Sequence, residues 1–289
     1  MNAVYYHGVE NFEIVTSAPI PSIADDQVQI KVSCCGICGT DSHIAKGEFI
    51  AKFPLIPGHE IVGTISQVGK DVTEFSIGDR VVADNGIPVP FCSYISFSGS
   101  KTRSAILQCE NCFYCRRGQA LLCENFESLG VTMAGGFADY VAIASKKVYK
   151  IFNLSDEEAT LVEPAACAVH GADKLNLPVG AEVEATGSEK VANESINHVR
   201  RGGTLMVYGV YANDALVHWP PSKIFGDEIK IIGSFAQTYC FPRAVAYLDS
   251  GKVRVKGMVT DTFSIQDYQK ALDKLESKTA VKIVVKPAM

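Results

Sequence analysis

Cys109-Glu-Asn-Cys112-Phe-Tyr-Cys115-Arg-Arg-Gly-Gln-Ala-Leu-Leu-Cys123 sets four cysteines, with spacers of two, two and seven residues, into one stretch of fifteen. Zinc takes four soft ligands at tetrahedral corners, and two-residue spacers let one tight turn present successive sulfurs to a single ion. The competing readings are disulfides, which need an oxidising compartment, and unpaired core thiols. The spacing favours a structural zinc on Cys109, Cys112, Cys115 and Cys123. A closed four-thiolate site has no open position, so reactive groups must be sought elsewhere.

Working outward, 289 residues can bury a large core and divide into two domains. With 47% apolar and 20% charged residues the composition is that of an ordinary globular protein. A net charge of -5, with no basic run, argues against a nucleic-acid partner. The opening Met1–Glu10 has no basic region followed by an apolar run, so no secretory signal is read there. No apolar run approaches the ~20 residues that span a bilayer, so no membrane partner is expected. Ten cysteines without an export signal favour metal ligation in a reduced, cytoplasmic protein.

The first half reads as short strands joined by turns. Val28–Cys34 alternates with period two, and Glu60–Val68 and Asp79–Ala83 do the same, with glycine turns between them. That pattern suggests a small antiparallel barrel. Two clusters sit at strand ends: Gly36-Ile-Cys38-Gly-Thr40-Asp41-Ser-His43 and Pro57-Gly58-His59-Glu60-Ile-Val-Gly63, running on to Gly69. Thiol, imidazole and carboxylate are the donor types of a catalytic zinc. Each cluster alone is a weak signal, since a lone cysteine is usually a core hydrophobe and a lone His-Glu pair is usually a surface pair.

Together the clusters resemble the zinc-dependent medium-chain alcohol dehydrogenases. The run Gly58, His59, Glu60, Gly63, Gly69 is similar to that family's zinc signature, and the four-cysteine lobe follows it. Val162-Glu163-Pro164 through His170-Gly171 resembles the Glu-Pro segment of the polyol branch, the sorbitol, xylitol and D-arabinitol dehydrogenases. The resemblance implies Cys38 and His59 as ligands of a catalytic zinc, with Glu60 a constant or alternating ligand. It implies that Glu163 binds the ion or holds its water, and that Asp41 accepts from the far nitrogen of His59. It makes Thr40 the proton acceptor from the alcohol and His43 the exit to solvent. Zinc would serve as a Lewis acid that makes the alcohol more acidic. Cys34, Cys35, Cys92, Cys167 and Cys240 match no ligand position and read as buried apolar thiols.

By the same resemblance the second half is a Rossmann-like sheet that binds NAD or NADP. Its Gly-x-Gly-x-x-Gly turn and the acid about 20 residues on have no match here. Leu177–Val183 looks like the start of a first strand and Glu184–Ser188 like the end of a fourth. The span from Val179 to Phe235 has room for two or three strands, since each βαβ unit takes roughly 30 residues or more. A helix from Glu189 to about His198, strands Thr204–Gly209 and Glu228–Gly233, and two helices with a closing strand Val281–Val285 complete the reading.

The expected fold is α/β. A GroES-like barrel domain occupies 1–164, with the zinc lobe at 109–123 and a serine-rich surface insertion at 88–108. A truncated Rossmann-like parallel sheet occupies 165–235, and 236–289 returns to the first domain. The implied substrate is a small polyol or sugar alcohol, and edge strand 228–233 would pair copies into a homo-oligomer. Two further readings stay open: a non-catalytic zinc-binding pseudo-enzyme or splice form, and a transcript or gene-model origin for the insertion and for the seam at Val183–Glu184.

Overall fold

A computed structural model describes residues 1–85, 112–176 and 182–287. Along the first half run β1 (Ala3–Gly8), β2 (Asn11–Val15), β3 (Gln27–Ile37), α1 (Gly39–Ala45), β4 (Glu60–Val68) and β5 (Arg80–Ala83). After the cysteine lobe come β6 (Tyr140–Ala144), β7 (Val148–Lys150), α2 (Asp156–Ala159) and α3 (Val162–Leu175). Then follow β8 (Glu182–Glu184), α4 (Glu189–Ser195), β9 (Thr204–Val207), α5 (Pro221–Gly226) and β10 (Lys230–Gly233). The chain closes with α6 (Phe241–Asp249), β11 (Val259–Ser264), α7 (Tyr268–Glu276) and β12 (Lys282–Lys286).

β3 is the spine. It pairs antiparallel with β4 along its length, with β6 through Gln27–Lys31, and with β12 through Cys35–Ile37. The described strands of this sheet run β11-β12-β3-β4-β5-β7, with β6 beside β3. Along β3, Val28, Ile30 and Val32 alternate with Gln27, Gln29, Lys31 and Ser33, whereas Cys34–Ile37 is buried at every position. One face carries Val28, Ile30 and Val32 into a core with Ile61, Ile65, Phe137 and Tyr268. The other puts Cys34, Val62, Val82 and Val284 against Val162 and Ala166 of α3 and Phe241 and Ala244 of α6.

The β3–β4 register shifts between Val32 and Cys34. The extra residue reverses which parity faces which core, so Cys35 and Ile37 continue the face begun by Val28, Ile30 and Val32. Gly36 lies opposite Glu60 and Val284 in the two ladders. Glu60 then shares the face of Val62, and Lys282 that of Val284, both turned towards α3.

The parallel sheet has three strands among the described residues, in the order β10-β9-β8, so β10 is an edge as expected. Ile196, Val199, Leu205 and Ile229 form its small core, with Trp219 and Ile224 packed on it. β8 crosses the Val183–Glu184 seam as one strand. Residues 177–181 and the 88–108 insertion lie outside the described residues. One correction is β11, whose half-buried Val259–Ser264 pairs parallel with β12 and was not expected. The closing segment does return to the first half, through the β12–β3 ladder and Tyr268, which packs edge-on against Tyr6 and Phe12.

Candidate metal centre

Cys38 ends β3 and caps α1. Its thiol accepts from Thr40 N at 3.3 Å while its own N–H donates to Asp41 Oδ2 at 3.0 Å. This reciprocal cap fixes the thiol's position. His59, immediately before β4, brings Nε2 to 3.0 Å from Cys38 Sγ. Its Nδ1 faces Asp41 Oδ1 at 3.6 Å, the pairing the sequence implied but longer than a hydrogen bond. Burial alone would push the His59 imidazole down, but the charges of Cys38 and Asp41 outweigh it and hold it well above its usual value.

Glu60 follows on β4 and is 1% exposed. Cys38 Sγ, a His59 ring nitrogen and a Glu60 oxygen all lie within 4.8 Å of one another. Glu60 Oε2 is ion-paired to Lys282, and Oε1 has no hydrogen-bond partner. Gly36 makes room for this pair: a Cβ there would stand 2.9 Å from Lys282 Cε and 3.0 Å from Glu60 Cδ.

Glu163 comes from α3 and is buried beside the set. Burial raises its carboxyl above the usual range, opposed by the charge of His59 and reinforced by that of Glu60. It accepts from Cys167 Sγ at 3.5 Å. Cys167 is therefore no bland core thiol. It sits one helical turn along α3 from Glu163, and burial followed by the Glu163 charge pushes its thiol well up. Cys34, Cys35 and Cys240 are buried as expected, and Cys92 lies outside the described residues.

Thr40 and His43 stand three apart on α1, on one face. His43 Nδ1 is 2.8 Å from Glu48 Oε2, and both side chains are partly exposed. In the lobe, Cys112, Cys115 and Cys123 bring their sulfurs within 4.8 Å of one another. Cys115 N donates to Cys112 Sγ at 3.4 Å, and Asn125 N donates to Cys123 Sγ at 3.4 Å. Such donors favour thiolates, so these residues fit a zinc. Cys109 lies outside the described residues. At the first set, a soft sulfur, an imidazole, buried carboxylates and the unpartnered Glu60 Oε1 likewise fit a cation.

The ends of β8 and β9 do not fit a pyrophosphate. Gly187, at φ 69°, turns its open side onto the Val210 carbonyl, and a Cβ on Gly209 would stand 3.0 Å from Gly187 Cα. The open side of Gly187 is thus taken by the Val210 backbone and that of Gly209 by Gly187. Glu184 next to this turn is 3% exposed and accepts from Thr186 N at 2.7 Å.

Sequence reasoning missed Lys282 and Tyr208. Lys282 had a signal, a charged residue inside an apolar strand, which is costly unless paired. Tyr208 had none. Its ring lies against Gly171 of α3, and burial raises its phenol, as do the charges of Cys167, Glu163 and Cys38.

Residues 24–153 match the alcohol dehydrogenase GroES-like domain. The chain is 44% identical to D-arabinitol dehydrogenase 1 of Uromyces fabae, covering 99% of this chain and 97% of the relative. That alignment runs over 360 positions against a chain of 289 residues, so stretches of the relative have no counterpart here. Sorbitol dehydrogenase of Bacillus subtilis (strain 168) is 26% identical over 99% of this chain and 97% of its own. Among solved structures, a zinc-binding dehydrogenase from Sinorhizobium meliloti 1021 bound to NADP superposes with a TM-score of 0.84 at 23% identity, covering 99% of each chain. A thermostable alcohol dehydrogenase from Pyrobaculum aerophilum gives a TM-score of 0.79 at 21% identity, again over 99% of each. These two share the fold. No helix among the described residues is long and apolar enough to cross a membrane.

Proposed function

Because the chain belongs to the polyol branch of the zinc-dependent medium-chain alcohol dehydrogenase family, we propose that its metal centre takes a secondary alcohol of a sugar alcohol for NAD(P)-linked oxidation. We propose further that the shortened nucleotide half binds the dinucleotide weakly and so slows this chain. One observation carries the first part: Cys38, His59 and Glu60 converge within 4.8 Å at strand ends, with Glu163 buried beside them.

In this reading Cys38 and His59 hold the catalytic ion, with Glu60 or Glu163 completing the set. Cys109, Cys112, Cys115 and Cys123 hold a second, structural zinc. A bound zinc supplies Lewis acidity and so eases loss of the alcohol proton. Asp41 orients the His59 ring. Thr40 Oγ1 accepts the alcohol's proton, and His43, backed by Glu48, passes it to solvent. Hydride transfer needs the nicotinamide ring held within about 3–3.5 Å of the reacting carbon. The glycine turns packed shut at Gly187 and Gly209 leave little to hold it there.

The test is zinc content together with D-arabinitol oxidation. Cys38→Ser should lose one ion and Cys112→Ser the other, and turnover should be measurable only at very high NAD or NADP. If Cys38→Ser keeps both ions, the site reading is wrong. The Gly187–Gly209 packing also favours a second reading, a zinc-binding form without turnover. Complete absence of oxidation at every dinucleotide concentration would select it.

A further inference from the structure

Glu163, Cys167 and Gly171 stand four residues apart on α3 and so form one row along the helix. Glu163 lies in the first turn, where the positive end of the helix favours a carboxylate. At the far end the row is covered by β9 and the residue after it. A Cβ on Gly171 would stand 3.2 Å from Tyr208 Cε2 and 3.5 Å from Met206 Sδ. Cys167 is half-buried in the middle of the row, and its thiol donates to Glu163 Oε1 at 3.5 Å. Helix geometry alone brings the two side chains together. The terminal torsion of a glutamate is broad and roughly two-fold, so an unheld carboxylate turns easily. A donor fixed on Oε1 removes that freedom and leaves Oε2 as the oxygen to face a cation. An alkyl side chain at 167 would fill the space without donating.

We propose that Cys167 is a positioning residue whose thiol holds Glu163 Oε1 and so presents Oε2 to the ion bound by Cys38 and His59. This rests on reading those two residues as metal ligands. Without the donor the Glu163 carboxylate turns freely, and the ion loses a partner whose orientation was set in advance.

The experiment uses the full chain with cobalt exchanged into the Cys38–His59 site, assigned by its loss in Cys38→Ser. The visible bands report ligand geometry, the near-ultraviolet thiolate band reports sulfur ligands, and release to a chelator reports retention. In Cys167→Val the visible bands should move and release should quicken by roughly tenfold, the scale on which groups behind metal ligands act. Cys167→Ala, kept in case the branched side chain disturbs α3, should move both readouts the same way. Cys167→Ser still donates and should stay close to wild type in both, with the thiolate band undiminished. Adding Cys167→Val to Glu163→Ala should change neither readout further, because the effect belongs to the pair. Unchanged bands and release in Cys167→Val and Cys167→Ala overturn the proposal. So does quickening that Cys167→Ser shares in full or that persists beside Glu163→Ala. A thiolate band that falls in Cys167→Ser would make Cys167 itself a ligand and overturns it as well. Cobalt that survives Cys38→Ser overturns the site reading itself, and that result is distinct from the others.

Discussion

Gly36→Ala should destabilise the metal-free protein through one pair of side chains. The new methyl would overlap Glu60 Oε2 and press on Lys282 Cε at 2.9 Å and Glu60 Cδ at 3.0 Å. Gly36 is an ordinary strand residue, so the backbone tolerates alanine, and the cost falls on the ion pair. Breaking a buried pair costs about 3–5 kcal/mol. Part is recovered if Glu60 finds a new partner, so a loss of about 2–4 kcal/mol in chelator-treated protein is expected. Urea unfolding at neutral pH, with both forms measured in parallel, reads it as a fall in midpoint at unchanged slope. The control is Gly36→Ala made in a Glu60→Ala background, where truncation clears the space. There the added cost should fall below about 1 kcal/mol, because the coupling belongs to the contact. A loss under about 1 kcal/mol for Gly36→Ala alone, or an equal loss in both backgrounds, would refute the reasoning.

Gly187→Ala places a side chain at φ 69° and against the Val210 carbonyl, so it should cost about 1–2 kcal/mol for the backbone alone, with more from the overlap. Hydrogen exchange of β8 and β9 amides should rise while that of β3 and β4 does not. Acid stability should depend on Glu157, whose carboxyl the Lys286 ammonium holds below its ordinary value of 4.5. A depressed folded pKa contributes stability that is present above the unfolded value and is lost as pH falls through the folded one. Lys286→Met should therefore be less stable than wild type at neutral pH, and the gap should close as pH falls below 4.5 and through the lowered folded value. A gap that widens on acidification would reverse the sign.

The strands of the first half were readable because polar residues such as Lys31 and Ser33 alternate with buried Ile30, Val32 and Cys34, and glycine turns punctuate the runs. β4 spans Glu60–Val68 as expected. The metal donors were readable because ligand chemistry restricts residue type and spacing. The Glu60–Lys282 pair was not, since it joins positions more than two hundred residues apart in sequence through a strand whose register no local pattern states. The shift at Ser33, which decides the faces of Gly36, Glu60 and Lys282, has no sequence signature of its own. Cys167 reads as an apolar thiol for a related reason: nothing local shows that one turn of α3 sets its sulfur 3.5 Å from Glu163. β11 escaped because its alternating residues are only half-buried.

A centre suited to alcohol chemistry coexists here with a nucleotide half whose Gly187 and Gly209 are closed by Val210 and by Gly187. Calorimetric titration of NADH and NADPH into the zinc-loaded chain tests it most directly. Heats no larger than dilution are expected through the low millimolar range. Saturable binding at millimolar or tighter affinity would contradict it.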